Sequence, residues 1–135
     1  MTLKIDRGQP PEWELELSGR WLRGPEDTRL ARITGTLRGP EWAEPATGTV
    51  TLWPLKLPGG IVIGARRIAL DVVAAGRRLV LDGDPGPPPY LLGITLPGRL
   101  GPPAGDHEAD RDGNQDVKVW IAPAQLFELW LRLNF

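Results

Sequence analysis

Cysteine is absent from the 135 residues, and serine, histidine and tyrosine occur once each, as Ser18, His107 and Tyr90. Without cysteine there is no disulfide framework, no thiolate zinc site and no cysteine nucleophile. A serine triad would need Ser18 and His107 in one place, and Ser18 lacks the Gly-x-Ser-x-Gly elbow that exposes such a nucleophile. Gly59-Gly60-Ile-Val-Ile-Gly64 is not followed by Lys-Ser/Thr, so a phosphate loop is missing as well. An enzyme is therefore not the expected reading, and no residue is assigned a catalytic role.

Charge of one sign is also lacking. Sixteen basic against seventeen acidic side chains leave a net charge of -1, so no global field draws the chain to nucleic acid or an anionic membrane. No uncharged stretch approaches the ~20 apolar residues that cross a bilayer. Lys4 and Asp6 interrupt the first residues, so no secretory signal is expected. A soluble chain in the cytoplasm, or as a component of a virion, is the expectation. Lysine and asparagine are scarce too: thirteen arginines stand against three lysines, and Asn114 and Asn134 are the only asparagines. GC-rich coding accounts for this bias, and few amides with proline-stiffened loops suit a thermophile.

What the chain has is turn formers and alternation. Seventeen glycines and fifteen prolines punctuate a sequence that is 41% apolar, a length and composition that suit one domain over 1–135. Trp13, Leu15 and Leu17 alternate with Glu12, Glu14 and Glu16, which predicts a half-buried antiparallel strand. The same period puts Ala31, Ile33 and Leu37 inward, then Val50 and Leu52, with Pro54 marking an edge, a bulge or a change of face. Ile68, Leu70 and Val72, a turn at Ala74-Ala75-Gly76, and Leu79 with Leu81 predict two more strands. A helix over 65–75 is the rival there, disfavoured by its Val and Ile content and by the lack of an N-cap residue.

Leu92, Ile94 and Leu96 follow the stiff Asp84–Pro89 stretch, and Val117, Val119 and Ile121 follow a long loop over 97–115. Phe127, Leu129, Leu131, Leu133 and Phe135 continue the alternation, predicting a last strand in preference to a helix from Pro123. Paired as a hairpin, the two final strands favour the register that sets Asp116 against Arg132, Lys118 against Trp130 and Trp120 against Glu128. The whole is an all-β domain, an antiparallel β-barrel or β-sandwich of about eight or nine strands. Leu-Arg-Gly-Pro-Glu at 22–26 and 37–41, and Thr-Gly-Thr at 34–36 and 47–49, suggest successive hairpins reusing one turn chemistry.

Four features invite a functional reading. Asp110, Asp112, Asn114 and Asp116 alternate around Gly113 as oxygen ligands do around Ca²⁺, while a solvated turn-rich loop is the simpler reading. His107 lies between Asp106 and Glu108, where it would ligate a metal, switch with pH, or simply be exposed. Glu12, Glu14 and Glu16 recur about 7 Å apart, a spacing a glycosidase pair could use but one that more often marks a solvated strand face. Trp120 and Trp130, outward beside Lys118 and Arg132, would form a stacking or cation-π surface unless a second layer covers them.

These features make a non-enzymatic interaction or structural module the leading expectation. It would be homo-oligomeric, contacting protein partners, itself or others, through outward aromatics and rigid loops. A barrel holding a small apolar ligand, with or without catalytic capability, is the alternative, and an OB-like binder of single-stranded nucleic acid a third that the net charge disfavours. Local asymmetry supports self-association: Glu12–Glu16 and Asp106–Asp116 are acidic, Arg66-Arg67 and Arg77-Arg78 basic.

Overall fold

Eight antiparallel strands, each bonded to its neighbours in sequence, close on themselves when the first pairs with the last. The computed structural model describes residues 1–102 and 114–135. The strands are β1 (Thr2–Asp6), β2 (Trp13–Arg23), β3 (Arg29–Arg38), β4 (Ala43–Lys56), β5 (Val62–Ala74), β6 (Arg77–Gly83), β7 (Ile94–Leu100) and β8 (Gln115–Ile121). A helix, α1 (Pro123–Asn134), follows. Of the two architectures the sequence allows, the barrel forms. Closure is made by Ile5 opposite Val119, flanked by Lys4 with Trp120 and Asp6 with Lys118. A closed sheet has no free edge.

The expected faces hold through most of the barrel. Trp13, Leu15, Leu17, Ala31, Ile33, Leu37, Val50, Leu52, Ile68, Leu70, Val72, Leu79, Leu81, Ile94, Leu96, Val117, Val119 and Ile121 are all buried in one core. Pro54 sits at a bulge, where the β4–β5 register shifts between Trp53 and Pro54. Residues 65–74 are strand rather than helix, and the β5–β6 turn runs through Ala75 and Gly76, both at positive φ. Leu92 departs from expectation. It precedes β7 and is 88% exposed.

The largest correction is at the C-terminal segment. Residues 123–134 form a helix, so the hairpin of 117–121 with 127–135 does not exist, and neither do its cross-strand pairs between Asp116 and Arg132, Lys118 and Trp130, or Trp120 and Glu128. On the side of β8 away from β7 the partner is instead β1, whose Leu3 and Ile5 supply an inward face from only five residues. Leu126, Leu129 and Leu133 recur with helical spacing, and the first two are buried. Pro123 suits the first turn, where its missing N–H costs nothing.

Helix α1 bridges the barrel mouth from β8 to β5, and two amide side chains tie it down. Gln125 Oε1 accepts from the Thr2 N–H at 3.0 Å. Asn134 Oδ1 accepts from the Val62 N–H at 2.7 Å while its Nδ2 donates to the Val62 carbonyl at 2.8 Å, as a paired strand would. Among the described residues no helix is long and apolar enough to cross a membrane.

Candidate functional site: the helix-capped end

The segment between β6 and β7 folds against the helix and builds an apolar groove on the barrel surface. Gly86 N–H bonds the Asp84 carboxylate at 2.8 Å, turning the chain, and the Tyr90 hydroxyl donates back to the Gly86 carbonyl at 2.9 Å. Tyr90 also reaches β5, accepting from the Ala65 N–H. Gly64 permits this approach, since a Cβ there would lie 2.6 Å from the hydroxyl. Burial raises the Tyr90 pKa. The Trp130 ring packs 6.0 Å from Tyr90 on one side, and Trp120 Nε1 donates to the Leu92 carbonyl at 3.0 Å on the other. Pro88, Pro89, Tyr90 and Leu91 thus form one wall of a groove whose other wall is Phe127 and Trp130; its volume is about 520 Å³. Beside it Phe127 and Leu131 on α1, continued by Phe135 at its C-cap, make an i, i+4, i+8 stripe, respectively 66%, 43% and 100% exposed.

The four residues expected to form an interaction surface are therefore dispersed. Trp120 and Trp130 do converge, on opposite sides of the 84–93 loop rather than on adjacent strands. Lys118 remains outward on β8, in a separate depression with Asp6, Asp82, Arg99 and Asp116. Arg132 lies on α1 and bonds Glu128 at 2.9 Å at the cavity mouth. Of the candidate cation ligands, Asn114 and Asp116 are exposed, and Asp116 sits 3.8 Å from Arg99. Asp110 and Asp112, like His107, lie outside the described residues. Among the described residues no three carboxylate or imidazole groups converge on a metal-sized site.

The opposed charge patches also resolve differently. Arg67 bonds Asp82 through Nε at 2.7 Å, and Arg78 bonds Asp71 at 2.9 Å, both across β5 and β6. Those guanidiniums are already neutralised within the chain, which lowers the carboxyl pKa of each partner aspartate. Arg67 also stacks 4.4 Å over Trp53.

Inside the mouth, Leu17, Trp21, Val50, Leu70 and Leu129 surround a cavity of about 70 Å³. Ligand sites for drug-sized molecules run to roughly 300–1,000 Å³. An eight-strand barrel is just wide enough for side chains to fill, and here they nearly fill it.

At the same end, the turn between β2 and β3 carries Asp27 at positive φ, with its carboxylate 2.5 Å from Lys56 Nζ and 3.0 Å from the buried Arg29 Nη1. Bonds from Lys56 and then Arg29 hold Asp27 down from 3.8 to about 2. A carboxyl depressed by folding stabilises the fold above its unfolded pKa and loses that contribution as pH falls through the folded value. Wild-type protein should therefore lose more thermal stability between about pH 4 and pH 2 than Asp27→Asn does. Parallel melting curves for the two would count against the assignment.

No protein-family model, no curated protein and no solved structure matches this chain.

Proposed function

We propose that the protein is a non-enzymatic interaction module that self-associates through its helix-capped end. The observation that carries this reading is the unpartnered apolar face made by the Phe127–Leu131–Phe135 stripe and the groove beside it. Among the described residues barrel closure leaves no edge strand to pair, which favours association through side chains. The face holds both a ridge and a groove, and the Glu128–Arg132 pair flanking it carries both signs of charge. A two-fold contact requires one patch to complement itself, and a second copy presents the same ridge, groove and charge pair. Exposed phenylalanines such as Phe127 and Phe135 belong to the aromatic residues enriched at the cores of protein interfaces.

Phe127→Glu puts a charge at the centre of that face. A loss of about 2 kcal/mol corresponds to a roughly 30-fold weaker self-association, read by sedimentation velocity over a concentration series. Phe127 is mostly exposed, so the monomer's melting temperature should hardly move. A wild-type chain that stays monomeric at millimolar concentration would sink the reading.

The interior supports a second reading only in reduced form. A cavity of about 70 Å³ suits an apolar ligand of a few heavy atoms, and a melting temperature unmoved by xenon or small hydrocarbons would remove it.

A further inference from the structure

At the barrel end opposite α1, two arginines converge on one tryptophan. The Arg7 guanidinium lies 4.0 Å from the Trp13 ring centroid and that of Arg77 lies 5.1 Å from the same ring. Trp42 meets Trp13 edge-on at 4.9 Å and backs the arrangement. Arg77 Nε donates to the Gly101 carbonyl at 2.9 Å, which aims its guanidinium across the opening of the barrel. Arg7 is fixed by its backbone: its carbonyl accepts from Gln115 Nε2 at 2.8 Å. Its Nη2 makes one long bond of 3.4 Å to the Pro11 carbonyl.

Two observations set this pair apart from the surface arginines. Among the described residues neither Arg7 nor Arg77 has a carboxylate within ion-pair distance; Arg20, Arg23, Arg32 and Arg66 share that lack but are exposed to solvent, whereas Arg7 and Arg77 are half-buried. Among those residues, too, the Arg7 Nε–H is the one buried side-chain polar atom with no hydrogen-bond partner. Leaving a charged donor buried and unpaired costs more than a lost neutral hydrogen bond. Two like charges held together raise that cost. Burial and then the Arg7 charge pull the Arg77 pKa below its usual value.

We propose that Arg7 and Arg77, stacked on Trp13, form a binding site for a tetrahedral oxyanion: phosphate, or the phosphate group of a larger molecule. A multi-oxygen dianion accepts from the Arg7 Nη groups and from those of Arg77, which among the described residues make no other side-chain bond than the Arg77 Nε contact with Gly101 and the long Arg7 contact with Pro11, and removes the repulsion between the two guanidiniums. The site is remote from α1 and stands whether or not the chain self-associates.

The test is a titration of the full chain with inorganic phosphate and separately with glycerol phosphate, at ionic strength matched with chloride, followed by Trp fluorescence and by NMR of the arginine Nε–H and tryptophan indole signals. Saturable shifts at Arg7 and Trp13 are expected, with at least tenfold weaker binding in Arg7→Gln and in Arg77→Gln and unchanged binding in Arg99→Gln. Tighter binding of glycerol phosphate than of phosphate identifies the larger molecule as the source, and the reverse identifies the free ion. Should the glutamine variants fail to fold, the wild-type NMR titration still decides. Equal shifts with chloride, or shifts that miss Arg7 and Trp13, would overturn the site. So would a tenfold or greater tightening when Asp106, Asp110 and Asp112 become Asn and Glu108 becomes Gln, because the arginines would then serve the chain's own carboxylates.

Discussion

Gly35→Ala is expected to melt about 10 °C below the wild-type protein, a loss of about 3 kcal/mol for a domain of this size. Gly35 faces inward on β3, opposite Leu17, and a Cβ built there would lie within bonding distance of the Glu16 carbonyl oxygen, with Glu16 C at 2.7 Å. The obstacle is backbone, which cannot rotate away as a side chain would. Gly48 repeats the arrangement one strand further on, with a Cβ position 2.1 Å from the Asp71 carbonyl oxygen, and Gly19 does so on β2 at 2.4 Å from that of Arg32. Glycines at defined inward positions let strands bend and approach closely enough for the sheet to close. The Thr-Gly-Thr echo of the sequence thus marks strand corners as well as repeated pairing. Thr34 and Thr47 face each other across β3 and β4. A Gly35→Ala protein as stable as wild type would mean that the barrel relaxes freely at this corner.

Leu52→Ala is expected to cost ~2–5 kcal/mol, the usual range for a buried leucine truncated to alanine. Leu52 is 1% exposed, lies between Arg29 of β3 and Ile68 of β5, and lines the existing interior cavity. Its removal therefore enlarges a void that is already there, and the neighbouring walls, locked in hydrogen-bonded strands, have little freedom to collapse. The enlarged space should bind benzene, raising the variant's melting temperature by more than that of wild type, since dry apolar cavities of about 150 Å³ take up such ligands. Leu92→Ala is the control: at 88% exposed it should change stability by no more than ~0.5 kcal/mol. Comparable losses in the two variants would contradict the assignment of faces.

Most of the barrel was legible because its strands obey one rule. A buried face and a solvated face alternate, so Trp13, Leu15 and Leu17 against Glu12, Glu14 and Glu16 announce both the strand and its orientation. Two segments escaped for physical reasons. In β1 only Leu3 and Ile5 carry the signal, too short a run to stand out. In α1, apolar side chains occupy nearly every position from Leu126 to Leu133, so period 2 and period 3.6 are both satisfied. Tertiary structure decides between them: β1 has taken the place beside β8, and the remaining chain buries Leu126 and Leu129 over the open mouth instead. The candidate surface was only partly legible as a result. Trp120 and Trp130 were visible as unusual aromatics, but their shared support of the 84–93 loop depends on Tyr90 and on the helix. The Arg7–Trp13–Arg77 stack joins the β1–β2 connection to the first residues of β2 and β6, which no local pattern announces.

Backbone-amide NMR recorded over a dilution series reads the proposed self-association through the helix-capped end residue by residue. Concentration-dependent shifts should be confined to residues 61–63, 86–93 and 123–135, with the outward faces of β2 and β3 unchanged. Spectra that do not change with concentration, or shifts that map to β2 and β3 instead, would contradict it.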